Sequence, residues 1–233
     1  MKRISAFLKD LFFVPRCAVC GREPQEEDGR LLCRACRNRY EFEEKTLCRV
    51  CQKTYDRCDC RPQFASPFVG NYRRVAYYRE ERVAGRLILA AKDYSNHRLT
   101  AFLADRMVSV CQEGGFSPEV VTYIPCSGES YRRKGFDHGR VLAQAVAKRL
   151  SLPCVGCFER KKGAEQKRLD AKGRLENSKA SLLVQKDVRQ KVQGKRVLLV
   201  DDIMTTGASS LVASVHLDEL GAQSVDFICF GSR

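Results

Sequence analysis

The spacing of apolar residues changes along the chain and divides it. Ile4, Phe7, Leu8, Leu11 and Phe12 fall at i, i+3, i+4, i+7 and i+8, which predicts an amphipathic helix over residues 1–16. Between residues 17 and 62 no such period exists, and cysteine pairs take its place. From about Phe68 the texture becomes alternating apolar runs and helical stretches. Phe68–Tyr72 and Arg74–Tyr78 read as an opening hairpin, Arg82–Asp93 and Leu99–Glu113 as helices, and Val120–Ile124 as a buried strand stopped by Pro125. Helix Gly139–Leu150, a short strand at Leu182–Val184, the apolar strand Arg196–Val200, helix Ser209–Gly221 and strand Val225–Phe230 complete residues 68–233. Apolar strands alternating with helices predict an α/β domain, with a mostly parallel sheet covered on both faces and ligands bound beyond the carboxyl ends of its strands.

The length of 233 residues accommodates one such domain plus a small module, and 44% apolar residues suffice for a core. No apolar run approaches the roughly 20 residues of a membrane-spanning helix. Lys9 and Asp10 interrupt the N-terminal apolar stretch before any cleavage site, so the segment is expected to be retained and the protein to be cytoplasmic. That helix is expected to pack on the body of the protein, although Lys2, Arg3 and Lys9 would also suit peripheral contact with anionic lipid.

Eight of the 13 cysteines lie between Cys17 and Cys60, paired as Cys17/Cys20, Cys33/Cys36, Cys48/Cys51 and Cys58/Cys60; Cys154 and Cys157 form a residual pair with no partner pair nearby. Two-residue spacings in three pairs, with a tighter Cys58-x-Cys60, and no secretory leader point to thiolates on metal rather than disulfides. Zinc takes four sulfurs at tetrahedral corners, and each Cys-x-x-Cys turn supplies two. Sequential pairing gives one Zn2+ on Cys17, Cys20, Cys33 and Cys36 and a second on Cys48, Cys51, Cys58 and Cys60; a cross-braced pairing of first with third remains open. Four sulfurs leave no position for a reacting water, so both metals are expected to be structural. Each tetrathiolate zinc carries −2, which lowers the formal net charge from +14 to about +10. Cys111, Cys126 and Cys229 are expected to be small buried hydrophobes.

The most informative segment is Arg196–Ser209. A fully apolar strand delivers Asp201 and Asp202 to its end, where unpartnered burial would be costly, so they are expected to meet sugar hydroxyls or a cation. Thr205, Thr206, Gly207, Ala208 and Ser209 then offer three hydroxyls and a permissive backbone at a helix start, the composition of a phosphate cradle. No G-x-x-x-x-G-K-[ST] occurs, which disfavours a P-loop ATPase.

Val197-Leu198-Leu199-Val200-Asp201-Asp202-x-x-Thr205-Thr206-Gly207-x-Ser209 resembles the phosphoribosyl pyrophosphate (PRPP) signature of type I phosphoribosyltransferases. Tyr123–Ser127, Arg132–His138 and Leu142-Ala143, with Arg160, Gln166, Leu169, Arg174, Asn177 and the earlier Lys92, further resemble the ComF competence family, whose longer members carry a double zinc ribbon. Lys134, Asp137-His138 and Ser181 depart from that family's pattern. The resemblance implies that Asp201 and Asp202 hold ribose hydroxyls, Thr205 to Ser209 the 5′-phosphate, and Cys126, Ser127 and Gly128 the pyrophosphate. It also implies that Lys92 and Arg174 help bind this substrate, that Arg160–Arg174 closes as a cationic flap and that Mg2+ accompanies PRPP. His138 is expected at the surface or in helix packing. The implied role is natural transformation; the alternative is a single-stranded DNA-binding factor whose PRPP site is regulatory or vestigial. An adaptor role for a DNA-translocating ATPase is compatible with either.

Overall fold

The computed structural model describes residues 16–23, 31–93, 96–161 and 169–233. The amphipathic stretch at 1–15 lies outside them. In chain order the elements are α1 (Arg34–Glu44), β1 (Val69–Tyr77), α2 (Val83–Asp93), α3 (His97–Glu113), β2 (Val120–Tyr123), α4 (Gly128–Lys134), α5 (His138–Leu150), β3 (Phe158–Arg160), α6 (Ala171–Ser181), β4 (Leu182–Val184), α7 (Arg189–Val192), β5 (Arg196–Met204), α8 (Ala208–Glu219) and β6 (Ser224–Ser232).

Four strands form one wholly parallel sheet in the order β1-β6-β5-β2. Strand alternation sends successive side chains of β5 to opposite faces. Leu198 and Val200 join Leu87 and Ile88 of α2, Leu103 and Met107 of α3, and Leu142 and Val146 of α5. Val197 and Leu199 join Val212 and Leu217 of α8, with Phe158 and Leu182 from the small antiparallel β3–β4 ribbon. Leu198, Leu199 and Val200 are completely buried. Each such side chain contributes about 2 kcal/mol relative to exposure.

One predicted element is corrected. The opening hairpin is a single strand, β1, paired in parallel with β6 and bulged between Val69 and Tyr72. The Gly70-Asn71 step makes no turn: the Asn71 backbone N–H (3.1 Å) and side-chain Nδ2 (2.9 Å) both donate to Asp226 Oδ1 of β6. The stretch read as a flap ends in a helix, α6, whose N-cap Asp170 accepts the Gly173 N–H at 2.7 Å. Residues 162–168 of that stretch lie outside the described residues.

The cysteine-rich segment packs on the first face of the sheet domain. Tyr40 of α1 meets Phe102 edge-on at 5.5 Å between ring centroids, and the Glu43 carboxylate accepts the Val83 N–H at the start of α2, at 2.8 Å. Around the second group of cysteines, Tyr55 packs on Tyr77 of β1 at 5.2 Å.

Candidate functional site

Strand β5 runs on past Val200, so Asp201 and Asp202 sit within it rather than beyond it. Alternation therefore sends the two carboxylates to opposite faces of the sheet. Asp202, buried on the α2/α5 face, has Oδ2 3.0 Å from Lys92 Nζ and 2.7 Å from His138 Nε2. Burial alone would push the Asp202 carboxyl up, but Lys92 and His138 outweigh it and hold it well below the usual carboxylate range. The Asp201 Oδ1 accepts the Asp202 N–H at 2.8 Å, and Asp201 and Arg160 of β3 both line the cleft. Burial, with the neighbouring Asp202 charge second, pushes the Asp201 carboxyl up despite Lys92 and Arg160.

His138 thus belongs to the site rather than to the surface. The signal for it was local: Asp137 is the N-cap of α5, accepting the Gly139 and Arg140 N–H groups, so the next residue starts a helix aimed at the end of β5. Gly139 permits that approach, because a Cβ there would stand 2.6 Å from the Ile124 carbonyl oxygen at the end of β2.

After β5 the chain turns through Thr205–Gly207 into α8. Gly207 is left-handed, with φ of 83°, and precedes the first helical residue. The free N–H groups of the first turn and the helix dipole favour an anion here. Two guanidinium groups stand on the loop's hydroxyls: Arg174 Nη1 donates to Thr205 Oγ1 at 2.8 Å, and Arg160 Nη2 to Ser209 Oγ at 3.3 Å. Ser178 of α6 lies 3.2 Å from the same Ser209 oxygen. Across the opening, Ser127 caps α4 by accepting the Ser130 N–H at 3.1 Å, and the left-handed Gly135 ends that helix. Helix α4 was not foreseen.

One open cleft of about 1300 Å³ gathers these groups. Its lining includes every residue expected to bind sugar phosphate: Lys92, Cys126, Ser127, Gly128, Arg174, Asp201, Asp202, Thr205, Thr206, Gly207, Ala208 and Ser209. Arg160 and His138, on which no binding role was placed individually, line it too. Of the cysteines expected in the core, Cys111 and Cys229 are buried, whereas Cys126 is half-buried at the cleft. The arrangement presents cations and helix N–H groups to phosphate oxygens beside a carboxylate, Asp201, that can accept from hydroxyls.

The paired cysteines form two separate groups, with the sulfurs of Cys17, Cys20, Cys33 and Cys36 all within 4.8 Å of one another, and likewise those of Cys48, Cys51, Cys58 and Cys60. The pairing is therefore sequential. Sulfur separations of 3.7 Å (Cys20–Cys33), 3.9 Å (Cys48–Cys60) and 3.5 Å (Cys51–Cys58) bracket the ~3.8 Å edge of a tetrahedron with 2.3 Å zinc–sulfur bonds, and all are far from a disulfide length. Gly21, left-handed with φ of 71°, closes the first turn, where its N–H donates to the Cys17 carbonyl at 2.9 Å. The donor sets fit Zn2+.

Residues 137–233 match the family model described as a phosphoribosyl transferase domain, and residues 8–64 match that of a double zinc ribbon domain. Among curated proteins none matches this chain. Similar solved structures include the allosteric regulatory enzyme of purine biosynthesis, at 20% identity and a TM-score of 0.41, covering 61% of this chain and 30% of that one. Another is the glutamine PRPP amidotransferase from B. subtilis, at 20% identity and a TM-score of 0.40, covering 60% of this chain and 30% of that one. Adenine phosphoribosyltransferase from Thermoanaerobacter pseudethanolicus is similar at 16% identity and a TM-score of 0.39, covering 60% of this chain and 83% of that one. The match therefore spans under a third of the first two enzymes. Residues 137–233 of this chain are thus similar to a phosphoribosyl transferase domain and residues 8–64 to a double zinc ribbon domain, and the parallel sheet and the two sulfur groups agree with those two matches.

Proposed function

We propose that the cleft binds PRPP, or a closely related 5-phosphoribosyl polyphosphate, together with Mg2+, and that the protein is a ComF-like phosphoribosyltransferase. The observation that carries this reading is the pair of guanidinium groups on Thr205 and Ser209 at the start of α8, next to a carboxylate pair divided between the two faces of β5. In the bound state Thr205–Ser209 and Arg174 would hold the 5′-phosphate, Asp201 the ribose hydroxyls, and the Cys126–Gly128 loop with nearby Lys134 the pyrophosphate. Lys92 and His138 keep Asp202 ionised and fixed, so that β5 presents an ordered edge to the sugar. Transfer would break the bond from the anomeric carbon to pyrophosphate and form one to an acceptor. The positive groups along the cleft would stabilise the departing anion. Mg2+, carried on the polyphosphate, would neutralise part of its charge. The phosphoribosyltransferase unit would start at Phe68, because β1 is an integral strand of its sheet.

In this reading Cys17, Cys20, Cys33 and Cys36 hold one structural Zn2+, and Cys48, Cys51, Cys58 and Cys60 the other. Native mass spectrometry of the purified protein is expected to show two zinc equivalents, and chelation to lower its melting temperature. One equivalent or none would contradict the assignment.

For the cleft, Arg174→Ala is expected to weaken PRPP affinity by ~10- to 100-fold, the worth of a hydrogen bond to a charged group. The circular-dichroism spectrum should stay unchanged. Unaltered affinity would remove Arg174 from the phosphate site.

A second reading draws on the rim. Tyr131 is 53% exposed on α4 among Arg132, Arg133 and Lys134, an aromatic flanked by cations that suits a nucleobase and its phosphate. Single-stranded DNA binding during natural transformation, alone or as adaptor to a DNA-translocating ATPase, would use this edge. Among the described residues no helix is long and apolar enough to cross a membrane.

A further inference from the structure

Buried in β1, at 5% exposure, Arg74 carries a permanent charge. Among the described residues no carboxylate lies within ion-pair distance of it. Its Nη2 donates to the Cys60 carbonyl, its Nη1 donates to Ser232 Oγ at 3.3 Å, and its Nε has no hydrogen-bond partner. An unpaired buried guanidinium is strongly destabilising, so a compensating anion is required nearby. The second sulfur group supplies one. Arg74 holds the backbone of its last member, Cys60, in a group whose Cys48 and Cys58 are buried. Four thiolates around Zn2+ leave a net −2.

From Cys60 the chain passes straight to the phosphate loop. The Phe64 N–H donates to the Thr206 carbonyl at 2.8 Å. Pro62 and the Phe64 carbonyl lie so close to Gly207 that an added Cβ would stand 2.7 Å from Pro62 Cγ and 2.9 Å from that oxygen. Farther along, buried Ser66 accepts from Ser214 Oγ of α8 at 2.6 Å and donates its N–H to the Tyr72 hydroxyl at 2.8 Å. Residues 60–66 thus form a strap, tied at one end to a cysteine of the second group and along its length to the loop and helix that face the cleft.

We infer that Arg74 is the buried counter-charge of the metal thiolate at Cys48, Cys51, Cys58 and Cys60, and that through Arg74 and the strap this centre positions the phosphate loop. Metal at one end and phosphate ligand at the other then favour each other's binding, and the coupling is reciprocal. The first sulfur group, which packs near α2 and α3, has no such connection to the loop among the described residues. The ligand half of this inference rests on the PRPP reading above; the metal half does not.

The test uses the full-length, zinc-loaded chain and reads zinc release to a chromogenic chelator alongside amide hydrogen exchange of residues 60–66 and 205–210. Arg74→Gln is expected to release one of the two zinc equivalents ~10-fold faster, the usual cost of losing a residue that supports a metal ligand, and to lower protection in both segments. Arg74→Lys, which keeps the charge, should restore most of the effect. Pro62→Gly should lower loop protection while zinc release stays native, separating the strap from the charge. Cys20→Ser/Cys36→Ser should lose the other zinc and leave the loop's protection unchanged. PRPP with Mg2+ should slow release of the Arg74-sensitive zinc by ~10-fold and bind ~10-fold more weakly to Arg74→Gln. Native zinc release in Arg74→Gln, or faster release with an unchanged loop, would overturn the inference. Failure of PRPP to bind the native chain would count against the sugar-phosphate reading alone, because the exchange and metal-release measurements need no ligand.

Discussion

Gly207→Ala is expected to destabilise the protein by about 3 kcal/mol, combining left-handed backbone strain with overpacking, and to abolish measurable PRPP binding. Two independent constraints meet at this position. Its φ of 83° disfavours any side chain, and a Cβ would enter the space held by Pro62 and the Phe64 carbonyl, with closest approaches of 2.7 and 2.9 Å. Relief would require the strap or the loop to move, and either movement breaks the Phe64 N–H to Thr206 carbonyl bond. Because a domain of this kind is stable by only about 5–15 kcal/mol, the loss should appear as a clear shift of the urea midpoint. A variant with the native midpoint and native PRPP affinity would show that the loop tolerates a side chain and that the described geometry is not the binding geometry.

The second large effect concerns Lys92. Lys92→Met keeps the length of the side chain but leaves Asp202 buried and facing only His138, at an expected cost of about 3 kcal/mol near neutral pH. Asp202→Asn in the same background should recover much of that loss, since it removes the uncompensated charge. The pH dependence carries a definite sign. In the native chain the Asp202 carboxyl is held well below its ordinary range, so its stabilising contribution is fully present above the unfolded carboxylate range of about pH 4 and is lost as pH falls through its folded value. With Lys92 gone that depression shrinks. The stability gap between native and variant should therefore be widest above about pH 4 and close on acidification. A gap independent of pH, or one that widens in acid, would contradict the ion-pair account.

Much of this architecture was legible because it is written in short-range pattern. The strands β2, β5 and β6 are apolar runs, and α2, α3 and α5 carry helical spacing between turn signals. The cysteine turns and the Asp201–Ser209 segment are local motifs whose chemistry needs no tertiary information. What escaped depends on partners far along the chain. Gly70-Asn71 has the composition of a turn, yet Asn71 is held extended by Asp226, 155 residues away. Helix α6 has few apolar residues to mark a buried face, and its start is set by the Asp170 cap. The acidic pair was expected to act together at a strand end. The β pleat turns the two residues to opposite faces, and Asp202 is the one that meets Lys92 and His138. Strand alternation could have separated them in advance, had the strand been carried to Met204. Arg74 and its link to Cys60 left no sequence signal, because a single arginine in an apolar strand does not name its partner.

The central claim is that the cleft is a working sugar-phosphate site, and calorimetric titration of the zinc-loaded protein with PRPP tests it most directly. The titration is run with and without Mg2+, on the native chain and on Asp201→Asn/Asp202→Asn. The account predicts micromolar, Mg2+-dependent binding to the native chain that disappears in the double variant while the fold persists. No heat of binding at millimolar PRPP, or equal binding by native and variant chains, would contradict it.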